Sequence, residues 1–202
     1  MDGGIPAVLQ YTSPECGTFC PETSVGSQRK NEVTIRVIYF LLAFILFLID
    51  QGTKYLIAVN LKIGDQIPVI GNFFLITSHR NTGAAFGILE GKRWFFVTIT
   101  VIVVAGIIWY LNKVKSSNNK LLPIALSLVL GGAVGNFLDR AVAGEVVDFL
   151  QFNFGTYTFP IFNVADSCIV IGVAMIVLDS ILEMRREKRQ LAENNHEEKG
   201  QV

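Results

Sequence analysis

Charged residues are scarce in this chain. They account for 17% of its 202 residues, whereas a soluble domain carries about a quarter. The charges also cancel, with 17 basic and 17 acidic residues, so the basic surface that a nucleic-acid partner requires is not predicted. Hydrophobic residues make up 51% of the chain, and this balance at this length predicts a single membrane-embedded bundle.

Histidine and cysteine are also rare, and their positions suit no metal site. The two histidines, His79 and His196, lie far apart, and Cys16 and Cys20 match no metal or redox motif. Cys168 lies in an apolar segment, where we interpret it as a small buried hydrophobic residue. The sequence contains neither a GxSxG elbow nor an HExxH motif. We therefore expect no metal, no cofactor and no nucleophile triad.

Four long apolar segments dominate the remainder of the chain. They occupy about residues 37–59, 94–111, 121–139 and 161–182, and each is close to the ~20 residues that a membrane-spanning helix needs. The predicted fold is therefore a mainly α membrane protein with four transmembrane helices, contained in a domain at residues 35–184.

The two ends of the chain are polar. Residues 1–34 are rich in Gly, Pro, Ser and Thr and show no periodicity, which predicts a disordered tail. Residues 185–202 form a charged tail that we interpret as a solvated helical extension. Asp179 and Glu183, just before this tail, are expected to be solvated as well.

Lysine and arginine determine the predicted orientation. With the N-terminus in the cytoplasm, eleven of these residues fall inside and six outside, so the positive-inside rule places both termini in the cytoplasm. Two segments, at about 60–93 and 141–160, then face the extracytoplasmic side. Alternation and aromatic residues in the first of them, at Ile67, Val69, Phe73 and Leu75, indicate short strands. We expect a small β-rich platform on the outer membrane surface.

Polar side chains in or near the apolar segments gather at one depth. An intramembrane carboxylate is costly and is a functional candidate by default, which singles out Asp166 near the start of the fourth segment. The other polar residues predicted at this leaflet are Asp50, Asn136, Asp139, Arg140 and Asn163. By spacing, the three on the third segment share one helix face, and the two on the fourth share another. We expect a polar pocket between the helices, open to the outside and to the lipid.

Most of these residues also have structural interpretations. Asp139 and Arg140 can form an interfacial pair that caps a helix end, and Asp50 can be a hydrogen-bond acceptor near the interface. Asp148 alone is typical of an exposed loop carboxylate, and Asn81 of a turn residue. Asp166 is the residue that such interpretations explain least well.

Two carboxylates without a histidine or a metal favour one hydrolytic scheme. If Asp148 and Asp166 come close together, they share one proton, because two neighbouring acids resist ionising at the same time. The ionised member takes a proton from water while the neutral member donates to the scissile carbonyl.

Five sequence blocks, in order, carry a family resemblance. They are DQGTKYLI (50–57), RNTGAAFGIL (80–89), GGAVGNFLDR (131–140), GEVVDF (144–149) and FPIFNVADSCIVIG (159–172). Together they resemble the bacterial lipoprotein signal peptidase family, signal peptidase II, over about residues 36–182, and the form is most similar to that of Gram-positive bacteria. The resemblance implies an intramembrane aspartic endopeptidase whose catalytic pair is Asp148 and Asp166. It implies that the family's substrate-contacting residues match Asp50, Asn81, Asn136, Asp139, Arg140 and Asn163.

The resemblance also implies a substrate. Family substrates are prolipoproteins whose cysteine already carries diacylglycerol, cleavage falls just before that cysteine, and the cyclic peptide globomycin inhibits the reaction. We expect a monomer in the bacterial cell membrane with its active site at the extracytoplasmic face. The loop around Ala84 and Ala85, flanked by Gly83 and Gly87, is hypothesised to be a lid that excludes water during cleavage.

Two other classes of function stay open on the sequence. A small proton-coupled transporter would use Asp50, Asp139 and Asp166 as a relay, although such a relay predicts carboxylates spread across the membrane. A non-catalytic membrane assembly subunit would keep its function when Asp148 or Asp166 is replaced by asparagine.

Overall fold

The protein is a bundle of long helices with a small sheet at one end. The computed structural model describes residues 22–83, 89–113 and 119–200, with side chains described between residues 33 and 194 of these ranges. In chain order, the elements are α1 (Glu22–Asn60), β1 (Gln66–Ile70), β2 (Phe74–Asn81), α2 (Arg93–Lys113), α3 (Leu121–Val142), β3 (Val146–Phe154), β4 (Tyr157–Thr158) and α4 (Val164–Gly200).

Four of these described segments are long and apolar enough to cross a membrane. They are Val33–Asn60, Arg93–Lys113, Leu121–Val142 and Val164–Asn194. Each exceeds the ~20 residues that span a bilayer. The prediction of a mainly α protein with four transmembrane helices and a small sheet is confirmed.

Helix α1 begins earlier than the sequence suggested. It starts at Glu22, so the prediction of a disordered tail is wrong for residues 22–34, while residues 1–21 lie outside the described residues. Residues 22–34 contain no proline and adjoin a strongly apolar helix. Extending a helix that already exists costs far less than nucleating one, which accounts for the longer α1.

Helix α4 begins later than predicted and runs further. Its first residue is Val164 rather than Ile161, and it continues to Gly200, so the charged tail is helical up to that residue. The start is delayed because Phe162 is held by β3. Its N–H donates to the carbonyl of Leu150 at 3.2 Å, and its carbonyl accepts from the N–H of Leu150 at 2.8 Å. Those bonds require extended backbone, which a helix beginning at 161 would remove.

The four strands form one antiparallel sheet in the order β1-β2-β3-β4. Strand β1 is exposed along its length, whereas β3 is largely buried against the helices. Phe73, expected in a strand, lies instead in the turn between β1 and β2. Its ring packs edge-on against that of Phe152, with the two ring centres 5.6 Å apart. The predicted lid residues 84–88 lie outside the described residues.

Helix α3 is the centre of the bundle, and glycines bring its neighbours close. A Cβ at Gly131 would collide with the carbonyl oxygen of Ala43 in α1, and a Cβ at Gly132 would collide with that of Ala165 in α4. Small residues at such crossings let backbones approach within a membrane. These two glycines therefore serve helix packing.

Asp179, expected to be solvated, is buried instead. It is only 4% exposed, and its Oδ1 accepts a hydrogen bond of 2.8 Å from Nδ2 of Asn119. Asn119 also accepts from the N–H of Leu121 at the start of α3. The expectation was wrong because the partner comes from a separate segment of the chain, which spacing along α4 does not reveal.

Candidate active site

The N-terminus of α4 holds the first of the two acidic residues. Asn163 lies just before the helix, and its Oδ1 accepts a hydrogen bond of 2.9 Å from the backbone N–H of Asp166. In return, Oδ2 of Asp166 accepts from the backbone N–H of Asn163 at 3.2 Å. This reciprocal pair is a capping box. The two residues were expected to share a helix face, but Asn163 is the cap rather than a helical residue.

Asp148 reaches the same place from the sheet. It lies in β3, and residues 159–162 run back beside that strand, with the N–H of Phe159 donating to the carbonyl of Phe152 at 2.8 Å. This return brings Nδ2 of Asn163 to within 2.6 Å of Oδ1 of Asp148. Asn163 therefore contacts both acids, Asp148 through its side chain and Asp166 through its backbone N–H.

A bulge in β2 aims Asn81 at Asp148. Ile76 pairs with Leu150, but three residues further on His79 pairs with Asp148, so β2 has one extra residue at this point. Because strand side chains alternate between faces, one extra residue switches the face of every residue that follows. Asn81 thus lies on the face of Asp148, and its Nδ2 donates to Oδ2 of that residue at 2.9 Å.

Asn136 completes the contacts of Asp166. It lies in α3, is 6% exposed, and its Nδ2 donates to Oδ1 of Asp166 at 2.7 Å. Its Oδ1 accepts from Nδ2 of Asn163 at 3.4 Å. Three asparagines from three separate elements or their caps thus surround two carboxylates with N–H donors.

A buried ion-pair cluster lies directly behind Asn136. Nζ of Lys54, a residue that is 3% exposed, lies 2.8 Å from Oδ2 of Asp50 and 2.7 Å from Oδ2 of Asp139. It also donates to Oδ1 of Asn136 at 2.9 Å. In the sequence, Lys54 counts only as one of the six outside charges that predict the orientation. Its spacing of four residues from Asp50 was the signal that could have identified the pair.

Asp50 also joins the first and last helices. Its Oδ1 accepts a hydrogen bond of 2.8 Å from the backbone N–H of Ala165, in the first turn of α4. A carboxylate in this position satisfies an otherwise unpaired N–H and is favoured by the helix dipole. A Cβ at Gly135 would collide with Oδ2 of Asp50, so α3 needs glycine there to admit the carboxylate.

The two acids border a cavity of about 670 Å³. Its polar walls are Asn81, Asn136, Arg140, Asp148, Asp166 and Ser167, and its apolar walls are Phe96, Val146, Phe159, Pro160, Ile161, Phe162, Ile169, Val170 and Ile171. Arg140 is held beside it, with Nη2 donating to the carbonyl of Gly83 at 3.0 Å and its guanidinium 4.9 Å from the ring centre of Phe96. A cavity of this size with few polar groups is typical of a binding site.

The predicted site residues thus fall into two groups. Five predicted residues line the cavity, namely Asn81, Asn136, Arg140, Asp148 and Asp166. Asp50, Asp139 and Asn163 are not among its walls and instead bond to other protein groups. Within the described part of the chain, no three His, Cys, Asp or Glu side chains are grouped as metal ligands.

Burial first, and then the charge of nearby Asp166, raise the pKa of Asp148 to about 7. The hydrogen bonds from Asn81 and Asn163 oppose this rise, because donors stabilise the ionised carboxylate. A buried acid with a neighbouring acid and a pKa near neutrality can hold a proton at physiological pH. This is the property expected of a general acid.

Fold and site together define a multi-pass membrane protein with a carboxylate pair in a cavity at one end of its helices. Residues 42–182 match the family model described as signal peptidase (SPase) II. The lipoprotein signal peptidase of Bacillus pumilus (strain SAFR-032) is 51% identical over 150 residues, which cover 74% of this chain and 96% of that protein. The lipoprotein signal peptidase of Halalkalibacterium halodurans is 47% identical over 154 residues, which cover 76% of this chain and 98% of that protein.

The chain belongs to the signal peptidase II family, peptidases that cleave the signal peptides of prolipoproteins. A solved structure described as a bacterial membrane enzyme, determined by the in meso method, is similar with a TM-score of 0.67 and 46% identity, over 73% of this chain and 89% of that one. A second structure, also described as a bacterial membrane enzyme determined by the in meso method, has a TM-score of 0.63 and 47% identity. The match covers 70% of this chain and 91% of that one. The resemblance inferred from the five sequence blocks is confirmed, and the protein is a multi-pass membrane peptidase.

Proposed function

We propose that the protein is an aspartic endopeptidase that cleaves diacylglyceryl-modified prolipoproteins just before the lipid-modified cysteine. Asp148 and Asp166 form its catalytic pair. One observation carries this proposal: a single residue, Asn163, bonds to both carboxylates, at 2.6 Å and 3.2 Å, at the wall of one cavity. Two acids held this closely share one proton and can act as acid and base in the same step.

The environments of the two acids suggest which one holds the proton. Asp148 is 1% exposed and its pKa is raised to about 7 by burial and by Asp166. Asp166 lies at the N-terminus of α4, where a negative charge is stabilised. We assign the proton to Asp148 and the charge to Asp166.

The reaction then follows as general acid–base catalysis. Asp166 takes a proton from water, the water oxygen forms a bond to the scissile carbonyl carbon, and Asp148 gives its proton to the carbonyl oxygen. Asp148 then recovers this proton as the carbonyl reforms and the C–N bond breaks, and Asp166 gives its proton to the leaving amine. Both acids return to their starting states.

The cavity suits a lipid-modified peptide. Its apolar walls match acyl chains and a signal-peptide segment, and its polar walls include both acids and two asparagines bonded to them. We assign substrate contact to Asn81, Asn136 and Arg140, and we expect globomycin to occupy the same cavity. The predicted contacts of Asp50, Asp139 and Asn163 with substrate stay predictions.

The location in the membrane is part of the proposal. The distribution of lysine and arginine favours both termini in the cytoplasm, with the cavity at the extracytoplasmic face. The described ion pairs cluster at that end of the bundle, which does not favour a proton relay through the membrane. We expect the protein to act as a monomer.

The test is to replace each acid by asparagine and to measure cleavage of a diacylglyceryl-modified prolipoprotein. We expect Asp148→Asn and Asp166→Asn each to lower kcat by roughly 1000-fold or more, because neither amide can take part in the proton transfers. Asp65→Asn, at an exposed turn, is the matched control and should retain wild-type kcat. Wild-type cleavage by either active-site variant would exclude the catalytic pair.

A further inference from the structure

Lys54 is a buried cation whose Nζ lies close to three oxygen atoms. These are Oδ2 of Asp50 at 2.8 Å, Oδ2 of Asp139 at 2.7 Å and Oδ1 of Asn136 at 2.9 Å. The contact with Asn136 is a hydrogen bond, and the contacts with the two carboxylates are ion pairs. The two carboxylates account for the burial of the charge. The third bond, to a neutral amide that contacts Asp166, has no such explanation.

That third bond, which is shorter than the 3.4 Å bond from Nδ2 of Asn163 to the same oxygen, sets which end of the Asn136 amide faces Asp166. The amide has an acceptor oxygen at one end and two N–H donors at the other, and rotation by a half turn exchanges them. Lys54 can only donate, so the oxygen must face Lys54 and the N–H groups must face the other way. Nδ2 of Asn136 then donates to Oδ1 of Asp166 at 2.7 Å. In the rotated amide, N–H groups would oppose the ammonium and an oxygen would oppose the carboxylate.

We propose that Lys54 is a positioning residue for peptide cleavage, because it holds the Asn136 amide in the orientation that donates a hydrogen bond to Asp166. Lys54 itself does not border the cavity. The donated bond fixes the direction of the Asp166 carboxylate at the cavity wall and stabilises its charge. This inference rests on the proposed function, since it assigns Lys54 a role in orienting one member of the catalytic pair.

A purely structural role for Lys54 makes a different prediction. Gln51 offers the comparison, because its Nε2 donates to Oδ1 of Asp139 at 3.0 Å, to Oδ2 of Asp50 at 3.3 Å and to the carbonyl of Gly135 at 3.3 Å. Gln51 therefore bonds to the same two carboxylates as Lys54 but not to Asn136. Gln51→Leu removes bonds from the same cluster and leaves the amide of Asn136 held.

The experiment is a double-mutant cycle between Lys54 and Asn136, measured as kcat and KM on a diacylglyceryl-modified prolipoprotein. We expect Lys54→Met and Asn136→Ala each to lower kcat by about 10- to 100-fold, the loss that follows from one hydrogen bond to a charged group. The KM of Lys54→Met should change by less than about threefold, because Lys54 does not border the cavity and the bond that it loses is not to substrate. The double variant should be no slower than Asn136→Ala alone, because Lys54 acts through Asn136.

Two controls separate this role from stability. Gln51→Leu should lower Tm while keeping kcat within about threefold of wild type. Lys54→Arg retains a charged donor and should recover most of the kcat lost in Lys54→Met; it also serves if Lys54→Met does not fold. The proposal would be overturned if the kcat losses of Lys54→Met and Asn136→Ala multiplied in the double variant. It would also be overturned if Lys54→Arg folded but had a kcat as low as that of Asn136→Ala. All these variants keep both aspartates, so the cycle can fail while the catalytic pair stands.

Discussion

At the scale of single residues, Asn163 holds the two acids at one place. It can do so because asparagine donates through both its side chain and its backbone, to Asp148 at 2.6 Å and to Asp166 at 3.2 Å. An aspartate at this position would place a third negative charge between them. A leucine would keep the backbone N–H that bonds to Asp166 but would remove the side-chain donor to Oδ1 of Asp148, which costs about 1–3 kcal/mol or more for a charged group.

The raised pKa of Asp148 predicts the alkaline side of the pH–rate profile. In the proposed scheme Asp148 must carry a proton, and its pKa is raised to about 7. As pH rises through this value the proton is lost and both acids are ionised, so kcat should fall; below it the proton is kept. The apparent pKa belongs to the coupled pair rather than to one residue.

Replacing Asn81 tests this assignment. Its hydrogen bond to Asp148 lowers the pKa of that residue. In Asn81→Ala the pKa should rise further, and the alkaline limb of kcat should move to higher pH. Asn72→Ala, at an exposed position in the turn between β1 and β2, is the matched control and should leave the limb in place. A limb that moves to lower pH in Asn81→Ala would contradict the assignment of the proton to Asp148.

Several residues of the site could be predicted from the sequence and others could not. Asp166 was found because a carboxylate in an apolar segment is costly wherever the chain folds. Lys54 was missed because its second and third partners lie in α3, more than 80 residues away. The role of Asn163 as a cap could have been read from an Asn followed three residues later by Asp, the spacing of a capping box. The bulge that directs Asn81 towards Asp148 corresponds to no sequence pattern that would have predicted it.

At the scale of the elements, the contact between α3 and α4 sets the position of Asp166. Gly132 of α3 touches the backbone of Ala165, next to Asp166, so anything larger than hydrogen there pushes the start of α4 away. Such a displacement acts directly on the active site, because the capping box and the bond from Asn136 both depend on where α4 begins.

Gly132→Ala should therefore lower both stability and activity. We expect a loss of about 1–3 kcal/mol in the free energy of unfolding, the usual cost of overpacking, together with a lower kcat. The measurements are Tm in detergent and the rate of prolipoprotein cleavage. Gly106→Ala in α2 is the matched control, because a Cβ there meets nothing within 4 Å. Equal Tm values for the two variants would show that the α3–α4 contact is not close in solution.

The helices were predictable from the sequence, but their ends were not. Apolar runs of about 20 residues identify spans whatever their neighbours do. The start of α4 depends on Phe162 bonding to β3, and the start of α1 on propagation into a polar segment. Both helix starts depend on structure outside the apolar run, and the periodicity of the run does not predict that structure.

At the scale of the whole molecule, the orientation in the membrane can be tested by labelling. In a background without native cysteines, Tyr157→Cys places a thiol on the exposed part of the sheet and Leu191→Cys places one near the end of α4; the native side chains are 53% and 63% exposed. A membrane-impermeant maleimide added to intact cells should label Tyr157→Cys but not Leu191→Cys. After lysis it should label both variants. Labelling of Leu191→Cys in intact cells would reverse the proposed orientation.

The bond between Asp50 of α1 and the first turn of α4 can form only late in synthesis of the chain. The ribosome delivers α1 first and α4 last, and the carboxylate that caps α4 stays without this partner until the final span has entered the bilayer. On the proposed chemistry, a partly synthesised chain has no second acid and no anchored helix start, and so no proteolytic activity. On the same proposal, the peptidase becomes active only after the start of α4 has joined the bundle.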